Sequence, residues 1–368
     1  MKIALLSGAV KNAGDFLIVD RAKRLIKSVY PECEITEYNR LLSLDEHKDE
    51  INCKDIIVFG GGPGYIDGLY PLHMPLTKNL DDLKLPMFSL GMGWFGYDGE
   101  TSTVYNYQLK GPTLDLFKRI ESDTKFLGCR DWYSVNILRN SGIVNGLMTG
   151  CPAWYNLDYV NQTTFSRDLC KGIKKICISD PAKPFNSGLA IKLVSYLKRV
   201  LPDVEYKFVF HRGFEEDKYT TKENAEAALL LKNTIESLGC QCENIAFGSE
   251  GMKAYDDCDL HIGFRVHAHI YNLSKRSASI LIEEDGRGAG VNNALGLDHI
   301  KAFETGVRSS DQGISLGHIE NRFFEYEIDD CLNNSWNSNF MKVEGAFTYM
   351  SKYYKKIVEH VESMKDFV

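Results

Sequence analysis

An arginine and two histidines directly follow a strand-like segment in the second half of the chain. The apolar run that ends at Gly263 continues as FRVHAH, which has the pattern of a helix's first turn. Backbone N–H groups and the positive end of the helix dipole meet at such a junction. Arg265 and His267 would add a fixed cation and a group that can move a proton. We therefore predict an anion-binding, catalytic segment; the alternative is a helix that merely begins with polar residues.

Two further arginines and a histidine follow other strand-like segments of the second half. His211 and Arg212 come just after one apolar run, and Arg287 follows the last clear one. Ligands of parallel sheets bind outside the carboxyl ends of the strands. We expect Arg212 and Arg287 to bind an anion and His211 to be a second proton carrier. Alternatively, the acidic residues 215–217 neutralise His211 and Arg212 in a salt-bridged loop.

In the first half, polar and glycine-rich segments follow the apolar runs. Asn12 and Asp15 come after the first run. Asp15 is expected to cap the next helix, and both side chains are expected to hydrogen-bond a hydroxylated ligand. Residues 60–64 contain four glycines, without the order of a dinucleotide fingerprint or the lysine of a phosphate-binding loop. They still imply close approach of a ligand or of another backbone segment, so Gly61 and Gly62 are candidate ligand contacts.

An aromatic loop and one more arginine complete the candidate site. Residues 91–98 (GMGWFGYD) place three aromatic rings in a glycine-rich loop. We expect Trp94 to form a stacking surface for a sugar; the alternative is a loop packed on itself. Arg130 and Asp131 stand at another strand-to-helix junction. Asp131 should cap that helix, while Arg130 either pairs within its domain or reaches the ligand.

Alternating strands and helices must position these residues. Strands are predicted at residues 2–7, 34–38, 55–59, 86–90, 126–129, 147–148, 175–179, 206–210, 243–246, 260–263 and 279–283, and helices at 15–28, 131–141, 186–200 and 224–238. This alternation is typical of parallel sheets covered on both faces. We predict an α/β protein with two Rossmann-like domains, residues 1–160 and 170–335, facing each other across a cleft. The apolar stripe of residues 336–368 predicts a C-terminal helix that packs back, with the N-terminal domain as its candidate partner.

Composition limits the classes of partner. A chain of 368 residues with 44% hydrophobic and 11% aromatic residues is expected to fold as two globular domains. Its net charge of −7 argues against nucleic acid, which needs a basic surface, but not against a small anionic ligand. Ten cysteines without metal-ligand spacing predict buried thiols in a reduced, cytoplasmic protein. We expect no transmembrane segment, because no apolar stretch approaches about 20 residues. We also expect no secretory signal, because the first apolar run is short and is broken at Lys11.

In order and spacing, five short segments of this chain resemble those of the polysaccharide pyruvyl transferase family. They are residues 12–15, 60–64, 91–96, 130–134 and 263–268. The resemblance implies a GT-B fold and transfer of the pyruvyl group of phosphoenolpyruvate to sugar hydroxyls, giving a pyruvate ketal and phosphate. It also implies that Arg265 and His267 match the family's Arg-Leu-His, so that Arg265 binds the donor's anionic groups and His267 moves a proton. No cofactor or metal is implied.

The resemblance also implies the partners. Phosphoenolpyruvate would be the donor, and a saccharide acceptor would rest near Asn12, Asp15, Gly61 and Trp94. A lipid-linked acceptor would bring the protein to the inner membrane surface. Two other hypotheses stay open. One is a GT-B glycosyltransferase that uses a nucleotide sugar, with Glu283 or Glu284 holding the ribose; the other is a non-catalytic saccharide-binding relative.

Overall fold

Parallel strands alternate with helices in the first half of the chain. The computed structural model describes residues 1–96, 100–169, 172–310 and 313–368, and only the backbone of residues 101, 305–310 and 313–319. The elements of the first half are β1 (Lys2–Ser7), α1 (Ala13–Val29), β2 (Glu34–Asn39), α2 (Lys48–Ile51), β3 (Ile56–Phe59), β4 (Gly62–Pro63), β5 (Met87–Ser89), β6 (Met92–Gly93), α3 (Thr101–Asn106), α4 (Gly111–Thr124), β7 (Leu127–Cys129), α5 (Trp132–Asn140) and β8 (Gly146–Met148). They form parallel ladders in the orders β2-β1-β3-β5 and β4-β6-β7-β8. Strand β3 is buried at every residue, as expected for a strand covered on both faces.

The second half builds a six-stranded parallel sheet. Its elements are β9 (Lys175–Ser179), α6 (Ser187–Val200), β10 (Glu205–Phe210), α7 (Lys222–Ser237), β11 (Gln241–Asn244), β12 (Leu260–Gly263), α8 (Val266–Ser274), β13 (Ala278–Glu283), α9 (Gly286–Leu295) and β14 (Ile300–Lys301). The strand order is β11-β10-β9-β12-β13-β14. Strand β9 therefore lies between β10 and β12, so that the carboxyl ends of these three strands are neighbours.

The last helices connect the two halves. A β-hairpin of β15 (Phe303–Ser310) and β16 (Gly313–Glu320) precedes α10 (Phe324–Asn337) and α11 (Met341–Glu362). In α11, the His360 ring stacks on Phe88 at 4.1 Å between centroids, and its Nε2 lies 2.9 Å from the Ser89 carbonyl oxygen. The predicted packing back of the C-terminal helix is thus confirmed: α11 contacts the first sheet and α1, and it also packs against α8 and α9 of the second half.

The predicted α/β fold with two Rossmann-like sheets is confirmed, and three local expectations are corrected. Helix α1 begins at Ala13, so Asn12 occupies the N-cap position and Asp15 lies in the first turn. Helices α4 and α10 and the hairpin were not predicted. Cys177 and Cys258 form a disulfide, contrary to the expectation that all cysteines are reduced. No helix in the described ranges is long and apolar enough to cross a membrane.

Candidate active site

A cavity of about 450 Å³ lies between the two sheets, where loops follow the carboxyl ends of strands from both halves. Seven of the eleven predicted site residues line it. They are Asn12, Asp15, Arg130, Arg212, Arg265, His267 and Arg287. The lining also includes Phe95, Asp180, Lys183 and Tyr219, which the sequence reasoning missed. Asp180 could have been found, because it directly follows β9 as Arg265 follows the end of β12.

Arg265 is held in place by the end of β9. Its backbone N–H donates to Ser179 Oγ at 3.0 Å. Its guanidinium donates from Nε to Asp180 Oδ1 at 2.7 Å, from Nη2 to Oδ2 at 2.6 Å, and from Nη2 to the Pro181 carbonyl at 3.1 Å. Burial opposes the charge of Arg265, but Asp180 outweighs burial and raises the pKa of the arginine. Arg265 therefore reaches the cavity as half of an ion pair with a fixed orientation.

His267 contacts the opposite half of the molecule. A Cβ atom on Gly14, in the first turn of α1, would lie 2.2 Å from His267 Nδ1, so only glycine fits there. Burial, and then the charges of Arg287, Arg130 and Arg265, lower the pKa of His267 to about 3. The imidazole is therefore neutral near pH 7, and an anion placed among these arginines would raise its pKa.

Two of these arginines are also paired with carboxylates. Arg130 donates from Nε to Asp131 Oδ2 at 2.9 Å and from Nη2 to the Trp94 carbonyl. Arg287 donates to both carboxylate oxygens of Asp285, at 3.0 and 2.8 Å, and its guanidinium lies 4.8 Å from the centroid of the Phe95 ring. The prediction that Asp131 caps α5 is confirmed, since its Oδ1 accepts from the backbone N–H of the third helical residue. These pairs orient the guanidinium groups and leave their remaining N–H donors for a ligand.

Arg212 differs from the other arginines of the cavity. No carboxylate of the described chain lies within ion-pair distance of its guanidinium, which donates from Nη2 to the Tyr219 carbonyl at 3.1 Å. Burial, followed by repulsion from Arg265, lowers the pKa of Arg212. An anionic ligand would relieve both costs, so Arg212 is the strongest anion-binding candidate of the site.

Asn12 and Asp15 line the wall contributed by the first half. Asn12 Oδ1 is buried and has no hydrogen-bond partner among the described residues. Burial raises the pKa of Asp15, although a hydrogen bond from Asn12 and the charges of Arg40, Arg287 and Arg212 oppose the rise. The wall thus offers an unsatisfied acceptor and a carboxyl group with an elevated proton affinity.

Four predicted site residues do not line the cavity. His211 is fully buried and its Nε2 lies 2.8 Å from the Tyr255 hydroxyl, so its ring does not reach the cavity. Burial lowers the pKa of His211 well below the ordinary value. Trp94 is also fully buried, against Tyr107 and Tyr133, so its ring offers no stacking surface. The neighbouring ring of Phe95 is 39% exposed and lines the cavity instead. Tyr97 and Asp98 of the same loop lie outside the described residues.

Gly61 and Gly62 face an arginine rather than the cavity. Both have φ of +77°, and the buried guanidinium of Arg40 donates to the Gly61 carbonyl at 2.8 Å. A Cβ atom on Gly62 would lie 2.9 Å from Arg40 Nη2. The glycines are thus closely approached, as predicted, but by the Arg40 side chain of the same domain and not by a ligand.

The acidic segment after Arg212 forms no ion pair with Arg212 in the described chain, contrary to the alternative considered from the sequence; its Asp217 pairs with a lysine from the other half. Buried Lys11 Nζ lies 2.7 Å from an oxygen of Asp217 and donates to Thr220 Oγ1 at 2.6 Å. The loop that contains Tyr219 is therefore fastened across the cleft, and it forms part of the cavity wall.

The two carboxylates considered as ribose ligands are engaged elsewhere. Glu284 accepts hydrogen bonds from the backbone N–H groups of Ala182 and Lys183 and from Asn186 Nδ2. Glu283 Oε1 accepts from Asn292 Nδ2 and lies 2.7 Å from a ring nitrogen of His299. Neither glutamate is among the residues that line the cavity.

Comparison with known proteins shows the family and the fold of the chain. The family model of polysaccharide pyruvyl transferases matches residues 12–271. Among solved structures, MnaA of S. aureus in complex with UDP is 10% identical with a TM-score of 0.53, covering all of this chain and 97% of that one. A putative UDP-N-acetylglucosamine 2-epimerase of Listeria monocytogenes is 9% identical with a TM-score of 0.50, again covering 100% and 97% of the two chains. These likenesses show a GT-B fold. No curated protein matches the sequence.

Proposed function

Because the chain belongs to the polysaccharide pyruvyl transferase family, and so to a group of transferases, we propose that it moves the pyruvyl group of phosphoenolpyruvate to saccharide hydroxyls. The products would be a pyruvate ketal and phosphate. The observation that carries the proposal is the position of neutral His267 among Arg130, Arg265 and Arg287 in one cavity. The arginines are suited to bind a donor with three negative charges, and the histidine is suited to transfer a proton to it.

The negative charges of phosphoenolpyruvate match the arginine N–H groups of the cavity. Phosphoenolpyruvate carries a phosphate and a carboxylate, and arginine binds both groups through paired N–H donors. Arg212 has no carboxylate partner in the described chain, so it supplies the positive charge that the donor neutralises. Arg265 and Arg287 are already oriented by Asp180 and Asp285, so they add N–H donors at little further cost in side-chain entropy.

His267 and Asp15 supply the proton transfers. As the donor neutralises the nearby arginines, the pKa of His267 rises and the ring takes up a proton. It can then protonate the methylene carbon of the enol, leaving an oxocarbenium-like carbon that a sugar hydroxyl attacks. Asp15, on the opposite wall, accepts the proton of that hydroxyl. Phosphate then departs and leaves an oxocarbenium-like carbon again; a second hydroxyl attacks this carbon, its proton passes to the departing phosphate, and the ketal is complete.

Ligand-dependent stabilisation tests the donor. We would measure the melting temperature of the wild type, of Arg212→Ala and of Arg199→Ala with phosphoenolpyruvate, UDP, GDP or CMP. Arg199 is a 65% exposed arginine paired with Glu325 and serves as the control. Arg265→Ala is avoided, because it would leave buried Asp180 without its counter-ion.

Phosphoenolpyruvate at about 100 times its Kd should raise the melting temperature of the wild type and of Arg199→Ala by about 5 °C. The same ligand should leave Arg212→Ala nearly unchanged. Stabilisation by a nucleotide and not by phosphoenolpyruvate would instead assign the protein to the nucleotide-sugar enzymes. Stabilisation by neither would favour a non-catalytic relative.

A further inference from the structure

A continuous hydrogen-bond chain runs beneath the turn that carries Arg265. Ser179 Oγ, which accepts from the Arg265 N–H, lies 3.0 Å from His261 Nε2. His261 Nδ1 lies 2.8 Å from Ser279 Oγ, which in turn lies 2.8 Å from His269 Nδ1. The chain links β9, β12, β13 and α8, and its four side chains are at most 2% exposed. None of these four side chains lines the candidate active-site cavity of about 450 Å³, so the hydrogen-bond chain is distinct from the ligand-binding wall.

Both histidines of the chain are neutral. Burial, followed by the charge of His269, lowers the pKa of His261 well below its ordinary value. Burial alone lowers the pKa of His269 to about 3. Near pH 7 each ring therefore has one N–H donor and one acceptor nitrogen.

The number of donors fixes the direction of the chain. The hydroxyl proton of Ser179 has one acceptor within reach among the described residues, His261 Nε2. His261 must then carry its proton on Nδ1 and donate to Ser279, whose hydroxyl donates to His269 Nδ1. The reverse direction would leave the buried Ser179 hydroxyl without an acceptor, which is unfavourable because a buried donor then loses its hydrogen bonds to water without compensation.

This direction leaves one donor and one acceptor unsatisfied at the far end of the chain. The remaining proton lies on His269 Nε2, and both this atom and Asn292 Oδ1 are buried without a partner among the described residues. Asn292 Nδ2 donates to Glu283 Oε1 at 2.8 Å and to the Asp298 carbonyl at 3.0 Å, which fixes the orientation of its amide. His269 and Asn292 line the same cavity of about 40 Å³, which is large enough for a water molecule.

We infer that a buried water accepts from His269 Nε2 and donates to Asn292 Oδ1, and that this one-way chain positions Arg265 through Ser179. Ser179 and His261 are then positioning residues. The chain holds the backbone of Arg265 while Asp180 holds its guanidinium, so the end of β9 fixes both parts of the residue. The chain itself does not depend on the proposed function; only the choice of phosphoenolpyruvate as a binding probe does.

The first test is spectroscopic and uses the wild type. In protein labelled with ¹⁵N-histidine, long-range ¹H–¹⁵N correlation spectra distinguish the two neutral ring tautomers. The two resonances are assigned by their loss in His261→Gln and His269→Gln. We expect the proton on Nδ1 in His261 and on Nε2 in His269 from pH 6 to 8. The opposite pair of tautomers, or a charged ring at pH 7, would overturn the inference.

A crystal structure tests the water directly. We expect one ordered water within hydrogen-bond distance of His269 Nε2 and Asn292 Oδ1. A dry cavity, or a water that contacts neither atom, would contradict the inferred end of the chain.

Substitution of the serines tests positioning. In Ser279→Ala the chain is cut between the two histidines, but Ser179 still donates to His261 Nε2. We therefore expect His261 to keep its proton on Nδ1 in this variant; a shift of the proton to Nε2 would show that Ser179 does not set the direction of the chain. In Ser179→Ala the Arg265 amide loses its acceptor, and we expect about tenfold weaker binding of phosphoenolpyruvate and of inorganic phosphate. Exposed Ser237→Ala is the control and should bind as the wild type does.

The outcomes separate the two proposals. The expected tautomers with unchanged binding by folded Ser179→Ala would refute positioning of Arg265. Failure of the wild type to bind phosphoenolpyruvate would refute the proposed donor. Inorganic phosphate then serves as the binding probe for Ser179→Ala, and the histidine tautomers still test the direction of the hydrogen-bond chain.

Discussion

The glycine-rich loops of the first half and the arginine-bearing turns of the second half both follow strands and both approach the cavity, yet they meet different partners. A Cβ atom on Gly91 would lie 2.4 Å from the Gly150 carbonyl oxygen, and one on Gly93 would lie 2.2 Å from the Arg130 guanidinium. Arg212 and Arg265 instead line the cavity. A glycine cluster after a strand thus indicates that something approaches closely, but tertiary structure decides whether a ligand or the protein itself does so.

The largest effect should come from a glycine that packs against the backbone. Gly91→Ala combines a φ of +65° with the clash against Gly150, and neither the carbonyl nor the turn can move easily. We expect the free energy of unfolding to fall by about 3–5 kcal/mol. Gly142→Ala is the matched control, since its φ is +82° and nothing lies within 4 Å of its Cβ position; it should cost about 1 kcal/mol. Urea titrations measure both variants. If Gly91→Ala and Gly142→Ala lose the same free energy of unfolding, the backbone at Gly91 has moved enough to avoid the clash with Gly150.

The next largest effect concerns the helix that closes the first sheet. His360→Ala removes the stacking on Phe88 and the partner of the Ser89 carbonyl, so we expect a loss of about 2–3 kcal/mol at pH 7. Burial lowers the pKa of His360 to about 4. Below pH 6.5 the unfolded chain binds the proton first, so His360 destabilises the folded protein as the pH falls.

The difference between wild type and His360→Ala should therefore narrow by about 2 kcal/mol between pH 7 and pH 4.5. Urea titrations at both values measure it. The exposed His73→Ala serves as the control and should leave both curves unchanged. A constant difference across this range would mean that His360 is not held neutral in the folded state.

In the second half, we expect ligand binding to be coupled to proton uptake, rather than a change in the free energy of unfolding. Binding of phosphoenolpyruvate should raise the pKa of His267 from about 3, because it neutralises the neighbouring arginines. At pH 5 we expect uptake of up to one additional proton, seen as a dependence of the calorimetric binding enthalpy on the ionisation enthalpy of the buffer. His267→Gln should lose this component. Identical uptake in that variant would assign the proton to the ligand or to another group.

The smallest effect compares two adjacent aromatic residues. Phe95→Leu removes the ring that Arg287 contacts, and we expect phosphoenolpyruvate affinity to fall about two- to fivefold at nearly unchanged stability. Trp94→Phe should do the reverse, costing about 1–2 kcal/mol of stability and leaving affinity unchanged, because Trp94 is buried. Isothermal titration and urea unfolding of both variants measure the two quantities; an affinity loss confined to Trp94→Phe would contradict the structure.

Much of the fold could be predicted from local sequence. Buried parallel strands are short apolar runs that end at glycine or a polar residue, so β1, β9 and β12 were predicted at their observed bounds. Strand β11 was predicted two residues too late, because its sequence QCEN has no apolar run. The hairpin of β15 and β16 was missed for a similar reason, since its sequences contain more serine, glycine and charged residues than apolar ones.

The candidate site was only partly predictable, because the contacts that decide it join distant residues. Arg265 and His267 were found from one local segment. The ion pair of Asp180 with Arg265 joins residues 85 positions apart in the sequence. The hydrogen-bond chain from Ser179 to His269 requires three strands in register. Whether a ring such as Trp94 faces a cavity or the core also depends on the opposing element, here the start of α9 at Gly286. No spacing in the sequence records these pairings.

Helix α11 determines when the first half can finish folding. His360 bonds to Ser89, 271 residues earlier in the chain, and Ile357 and Val361 are fully buried beside it. During synthesis the strands of the first sheet therefore leave the ribosome long before the helix that covers them exists. Their apolar surface must wait for nearly the whole chain, exposed to chaperones and to aggregation. Nascent chains of this protein should accordingly stay protease-sensitive in the first half until residue 361 has emerged.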